Sequence, residues 1–361
     1  MPGGTPLPKA DSDQVQAFAY DEPKSLSAYQ VCLNFEEQLA TTTRVRLVRI
    51  LGYLLLYAPN RTVRNEVAKC IHSHKDQSDL VDAGAFFECN VIAAFKKHKG
   101  RTPTSSEQSS ISSLEATKKE TETEAVSEAP RNHKEAKSQA LIRDNWRCVV
   151  TGTLHDDAPA SVIKAADSPV VVAYTECAHI IPAAMFLSVK PTDSEDKSPK
   201  AGCLGFRDYS ASILAVLKQF HSDISSFNKE KMHSLMNVIT MEKNIHDVFE
   251  RLELYFEATS VKNHYQVKSF RPYPVHPQQR DTVTFSTKSP ETLPVPSPEL
   301  LALHATCCKV AHFSGSAGYI DTLYDDLDQT GVLAIDGTSD DLLRYKLLSL
   351  MNSERVDNFD A

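Results

Sequence analysis

The chain lacks any long apolar run. Its longest, Ile50 to Ala58, is about half of the roughly 20 residues that a membrane-spanning helix needs, so no membrane partner is expected. The opening MPGGTPLPKADSDQ has no apolar core of the kind a secretory signal carries, and an intracellular protein is expected. There is no CxxC pair. The eight cysteines, at 32, 70, 89, 148, 177, 203, 307 and 308, form no framework suited to a small secreted scaffold and read as reduced, packed thiols. The adjacent Cys307 and Cys308 read as a helix interior, since neighbours on a helix do not face each other. A basic excess is missing too: 39 Lys+Arg stand against 47 Asp+Glu, for a net charge of −8. With no global electrostatic footprint for nucleic acid, any such site must be a local patch. No internal repeat is visible.

What is present is 361 residues, 41% of them hydrophobic. That fits two or three ordinary domains with part of the chain disordered. Residues 1–26, polar and Pro-rich, read as a flexible lead. Residues 27–100 read as a helical region, with Val63, Val67 and Ile71 at spacing four and Pro59-Asn60 between two helices. KKHKGR (Lys96 to Arg101) closes it as a solvated helix end. On a helix, Cys70 and His74 share a face without His72, which argues against a metal cluster there. Residues 101–137 are rich in Ser, Thr, Glu and Lys and nearly free of large apolar residues. Such a stretch buries too little surface to offset its ordering entropy and reads as a disordered linker. Residues 138–275 follow as a mixed domain, 276–298 as a Pro-rich connector, and 299–361 as a helical, acidic C-terminal region.

Inside the mixed domain, SQALIRDNWRCVVTG reads as a helix running into a strand and a turn. VVVAYTECAHIIP is a strand of β-branched and aromatic residues. A polar stretch and an amphipathic helix with Ile213, Val216, Leu217 and Phe220 come next, then the strand NVITMEK and the helix NIHDVFERL. LELYFEA and HYQVKSF alternate as a hairpin does, with a turn near Ser260 to His264. Three polar residues stand out: His179 at a strand end, Asn237 at the mouth of the next strand, and His246 at a helix start. A strand–strand–helix unit of this kind lets two imidazoles converge on one phosphate from different elements. Asn244 competes with Asn237 as the functional asparagine, but its place suits a helix N-cap. Cys177 and His179 share a strand face, yet no oxyanion element or third group supports a Cys–His hydrolase.

RDNWRCVVTG, then AHIIP, then Asn237 and His246 within NVITMEKNIHDVF together resemble the HNH endonucleases, in the Cys-poor branch found in fungal proteins of this layout. The resemblance covers about Ser138 to Tyr273. It implies an α+β fold with a ββα-metal core and a trailing β-hairpin, flanked by helical N- and C-terminal regions. It further implies a metal-dependent endonuclease hydrolysing DNA, or another nucleic acid, with the helical flanks giving packing, target choice or dimer contacts. His179 matches the general base, Asn237 the residue that braces the loop and orients the base, and His246 the metal ligand on the helix. The ion would be a single divalent one, magnesium or else manganese, with a neutral imidazole near pKa 6.5 suited to the base. Where many members carry an Asp or His ligand just before the base, this chain has Ala178, and Glu176 is the candidate substitute. The positions of the two CxxC pairs that hold a structural zinc in other members carry Cys148, Thr151, Glu242 and Ile245, so no structural zinc is expected. Arg143, Arg147, Lys243 and Lys268 are candidate phosphate contacts, and a solvated surface explains each of them as well. The alternative is a catalytically degenerate HNH fold that binds nucleic acid or regulates without cleaving, which Ala178 and the acidic tail favour.

Overall fold

The structure is a computed structural model and describes residues 4–39, 41–74, 76–96, 130–166, 170–182 and 232–330, the last five without side chains. The chain separates into two compact units. No helix of the described residues is long and apolar enough to cross a membrane. The fold is mixed helix and small sheets.

The first unit is helical. Helices α1 (Asp13–Ala19), α2 (Pro23–Gln38), α3 (Thr42–Leu56), α4 (Arg61–Ser73) and α5 (Gln77–Phe87) are followed by a π-helical turn at Glu88–Ile92. Asn60 caps α4 by accepting the Val63 N–H at 3.0 Å, as the Pro59-Asn60 punctuation suggests. Helix α3 is buried over nearly its whole C-terminal half, Leu47 to Leu56. Its backbone meets α5 at Gly84, where a Cβ would fall 2.2 Å from the Leu47 carbonyl oxygen.

The expected flexible lead is instead part of this unit. Prolines remove local N–H partners for its carbonyls, and the hydroxyls of buried tyrosines donate in their place. The Tyr53 hydroxyl donates to the carbonyls of Thr5 and Pro6, each at 2.9 Å, and Tyr29 to that of Pro8 at 2.7 Å. Lys96 departs from the solvated helix end expected of KKHKGR. It is buried and pairs with Asp321 at 3.2 Å, on α10 (Ser316–Thr330), which follows α9 (Pro298–Ser314). The rest of that basic cluster lies outside the described residues, as does the last expected helix, DDLLRYKLLSLM.

The second unit holds the strands. Helix α6 (His133–Arg143) leads to β1 (Leu154–His155), and a short helix α7 (Ala160–Lys164) returns to β2 (Val172–Ala173), parallel to β1. The antiparallel pair β3 (Thr175–His179) and β4 (Val238–Glu242) follows, and β4 passes without a loop into α8 (Lys243–Glu250). Strands β5 (Leu254–Ala258), β6 (His264–Ser269) and β7 (Thr282–Thr284) form an antiparallel sheet.

Three expectations change here. Helix α6 starts at 133, inside the segment read as linker to 137. Asn132 accepts the Glu135 N–H at 2.9 Å, the Glu135 carboxylate accepts the Arg131 N–H at 2.8 Å, and Ala136 is fully buried. This reciprocal cap starts a helix in a polar sequence. The trailing hairpin gains β7 from the Pro-rich connector, whose prolines flank a β-branched Thr-Val-Thr, with Val283 and Phe285 buried. Asn244 is not the cap of α8: Glu242 occupies that position and Asn244 is exposed in the first turn. The remaining stretch of the linker, 101–129, and the amphipathic helix expected around 213–220 lie outside the described residues.

Candidate active site

The turn after α6 sets the second unit's frame. Asn145 and Trp146 both take left-handed backbone, φ 53 and 59, ending the helix and sending Trp146 into a cluster with Leu141, Leu154 and Ala158. The Asp144 carboxylate, its side chain only 5% exposed, receives Arg143 at 2.8 and 2.9 Å and the Thr240 N–H at 3.1 Å. The same guanidinium donates to the carbonyls of Leu235 at 2.6 Å and Val238 at 2.8 Å. Arg143 is therefore a bolt between α6 and β4 rather than a phosphate contact. Arg147 also turns inward, to the Gly152 carbonyl at 2.8 Å. Of the four basic candidates, only Lys243 is exposed, with Lys268 half-buried.

At the positions where the resemblance would place zinc ligands, hydrogen bonds join the turn to the hairpin. The Glu242 carboxylate accepts from Thr153 at 3.1 Å and Thr151 at 3.4 Å. The two threonine hydroxyls are themselves in short contact. Gly152 holds φ +77, where a side chain is strained, and a Cβ there would have to displace the Arg280 guanidinium, 2.2 Å away.

Strand alternation divides β3 between two faces. Cys177 packs against Ala136 and Ala140 of α6, and His179 lies on that side, its ring 5.5 Å from that of His133. Glu176 and Ala178 face the other way, toward α8. Ala178 is fully buried, whereas Glu176 reaches His246 Nδ1 at 2.7 Å. Glu250, one turn further along α8, lies 3.2 Å from His246 Nε2. The structure thus brings Glu176 and His246 together and adds Glu250. The i, i+4 spacing of His246 and Glu250 was the signal that could have found it.

Asn237 stands at the root of β4, wholly buried. Its Oδ1 accepts the Ile181 N–H at 2.9 Å, and its Nδ2 donates to the carbonyls of Ile181 at 3.1 Å and Met232 at 3.0 Å. The residues just past His179 are tied down by this amide. His233, also absent from the sequence reading, lies beside the Met232 anchor and meets His179 Nε2 through Nδ1 at 3.2 Å.

The two principal imidazoles are pushed in opposite directions. Burial, and then the positive charge available on His133, His233 and His246, hold His179 well below the usual imidazole range, against a smaller opposing pull from Glu250. His246 loses by burial too, but Glu250 and Glu176 outweigh that and push it up to about 9. Cys177 goes up to about 12 through burial, which keeps it a thiol and removes the basis for a Cys–His hydrolase.

A second cluster able to hold a cation lies at β1. His155 (buried), Asp156 (exposed) and Asp157 (half-buried) bring ligand atoms within 4.8 Å of one another. The His155 Nδ1 is 3.0 Å from Asp156 and 3.2 Å from the Thr175 hydroxyl, and its ring stacks on Trp146 at 6.0 Å.

No curated protein and no solved structure matches the chain. Residues 148–257, which include Glu176, His179, Asn237, His246 and Glu250, match the family described as HNH endonuclease, whose members are in general nucleases acting on nucleic acids. On that match, this segment of the chain is similar to HNH endonucleases.

Proposed function

We propose that the second unit is a metal-dependent endonuclease that hydrolyses DNA phosphodiesters, with His179 as general base and His246 and Glu176 as holders of a divalent ion. The observation that carries this reading is the division of labour across β3. One face ends in an imidazole kept neutral, and the other presents a carboxylate to an imidazole with a second carboxylate on its far nitrogen.

The donor set fits a divalent cation. Carboxylate oxygens with one imidazole suit magnesium or manganese, and Glu250 on the other nitrogen is the outer carboxylate that metal-bound histidines usually have. Glu176 and His246 Nδ1 would hold the ion, which when bound would polarise the scissile phosphate and stabilise the leaving 3′ oxygen. The chain's own residues do the remainder. His179, uncharged at neutral pH, takes a proton from water as the oxygen attacks phosphorus. Asn237 keeps the backbone at Ile181 fixed, so the base does not swing off line. The phosphorus–3′ oxygen bond breaks, the leaving oxygen takes a solvent proton, and the product carries a 5′ phosphate.

Nicking of supercoiled plasmid in magnesium, manganese or EDTA tests this. Metal-dependent nicking that falls by about 10²-fold or more in His179→Ala and His246→Ala, and persists in the double variant Asp156→Asn/Asp157→Asn, supports the reading. Loss in the double variant alone would move the ion to β1. A folded wild type that binds duplex but nicks with neither metal would overturn it in favour of the binding module, with Ala178 as the reason.

A further inference from the structure

Near the base, one contact serves no evident packing purpose. His179 and His233 meet nitrogen to nitrogen at 3.2 Å, Nε2 to Nδ1, with ring centroids 5.3 Å apart at 59°. His133 flanks both, 5.5 Å from His179 and 6.3 Å from His233. A hydrogen bond between two neutral imidazoles needs one ring to donate and the other to accept. Only one of the two arrangements leaves His179 a lone pair directed away from its partner. In it, His179 Nε2–H donates, His233 Nδ1 accepts, and His179 Nδ1 is bare.

We propose that His233 is a positioning residue for His179: its Nδ1 accepts the Nε2–H of His179 and fixes the base in the tautomer whose lone pair sits on Nδ1. The inference rests on His179 being the base and adds the residue that sets its protonation pattern. The partner is itself held. Asn237 Nδ2 donates to the carbonyl of Met232, the residue before His233. Ser234, the residue after it, accepts the Met236 N–H through its hydroxyl at 3.3 Å. One asparagine therefore steadies both members of the imidazole pair, through Ile181 on one side and Met232 on the other. When His179 Nδ1 takes the proton of the attacking water, both of its nitrogens carry hydrogen, and the Nε2–H···Nδ1 bond to His233 becomes charge-assisted and stronger. While His233 itself stays neutral, its accepting nitrogen thus stabilises the state the base reaches in the reaction, as the orienting partner of a catalytic histidine does.

The test uses the full-length chain carrying 15N-labelled histidine, with His179→Gln to assign the signals. In the wild type at mildly alkaline pH, the His179 ring should show a protonated Nε2 and a bare Nδ1. His233→Leu keeps volume but removes the acceptor and should mix the two tautomers. His233→Asn places Oδ1 where Nδ1 stood and should restore the wild-type pattern. On supercoiled plasmid with magnesium, kcat should fall about tenfold or more in His233→Leu with KM unchanged, and stay within about threefold in His233→Asn. An unchanged His179 tautomer in His233→Leu, or a wild type with the proton on Nδ1, overturns the proposal whatever the plasmid shows. The expected tautomers without nicking by the wild type would sink the nuclease reading while upholding the hold of His233 on His179.

Discussion

Asn237 uses both polar atoms of its amide on backbone, at Ile181 and Met232, in a site closed to solvent. Removing them leaves an N–H and two carbonyls buried with no water to replace the amide. Asn237→Ala should cost about 3 kcal/mol or more and lower both the urea midpoint and nicking. A variant as stable as the wild type would show that water enters the site freely. His246 makes a prediction of the opposite kind, about pH. Its folded value, about 9, lies above the unfolded value near 6.5. The bound proton therefore contributes fully below about pH 6.5, and this stabilisation, at most roughly 3 kcal/mol, is lost as pH rises through about 9. Melting temperature in EDTA should fall across that window, and more gently in Glu250→Gln. Divalent ions compete with the same proton, so their binding should tighten as pH rises.

At the scale of elements, the hairpin and helix of the site hang on two tight features of the turn after α6. Asp144→Ala would leave Arg143 buried without its carboxylate and orphan the Thr240 N–H. Losses of about 3–5 kcal/mol are typical of such a break, so chemical denaturation should show near-complete loss of cooperative folding. Gly152→Ala must hold a positive φ and displace Arg280, at about 1–3 kcal/mol, read as a shift of the urea midpoint at constant slope. Much of this unit was legible beforehand. Alternating runs gave β5 and β6, NVITMEK read as the strand that is β4, and the motif residues His179, Asn237 and His246 fell at a strand end, a strand mouth and a helix start. What escaped notice depends on tertiary partners. Strand β7 is three residues among prolines and exists because β6 offers an edge. The lead at residues 4–12 is ordered by tyrosine hydroxyls that come from distant helices. Arg143 and Arg147 look like surface cations until the carbonyls and carboxylate that take them are in place. His233 and Glu250 belong to the site through contacts that composition does not announce.

For the molecule as a whole, the charge distribution bears on how the site meets a substrate. With net charge −8 and two of four basic candidates turned inward, Lys243 and Lys268 are what those four leave for phosphate. Duplex binding should weaken with salt at a log–log slope shallower than about −3, in keeping with three contacts or fewer. A steeper slope in a fluorescence titration would reveal basic groups beyond those described. A last consequence follows from the amide of Asn237, which grips the chain on departure at Ile181 and again on return at Met232. One side chain thereby holds together the two points, Ile181 and Met232, where the described hairpin is interrupted in sequence. Because the cost of closing a loop changes only slowly with its length, this interruption is a natural point for lineages, or engineers, to rewrite. Exchanging the residues between those two points for a short Gly/Ser bridge should leave the paired strands and their histidines in place, whereas the same exchange combined with Asn237→Ala should let the hairpin come apart.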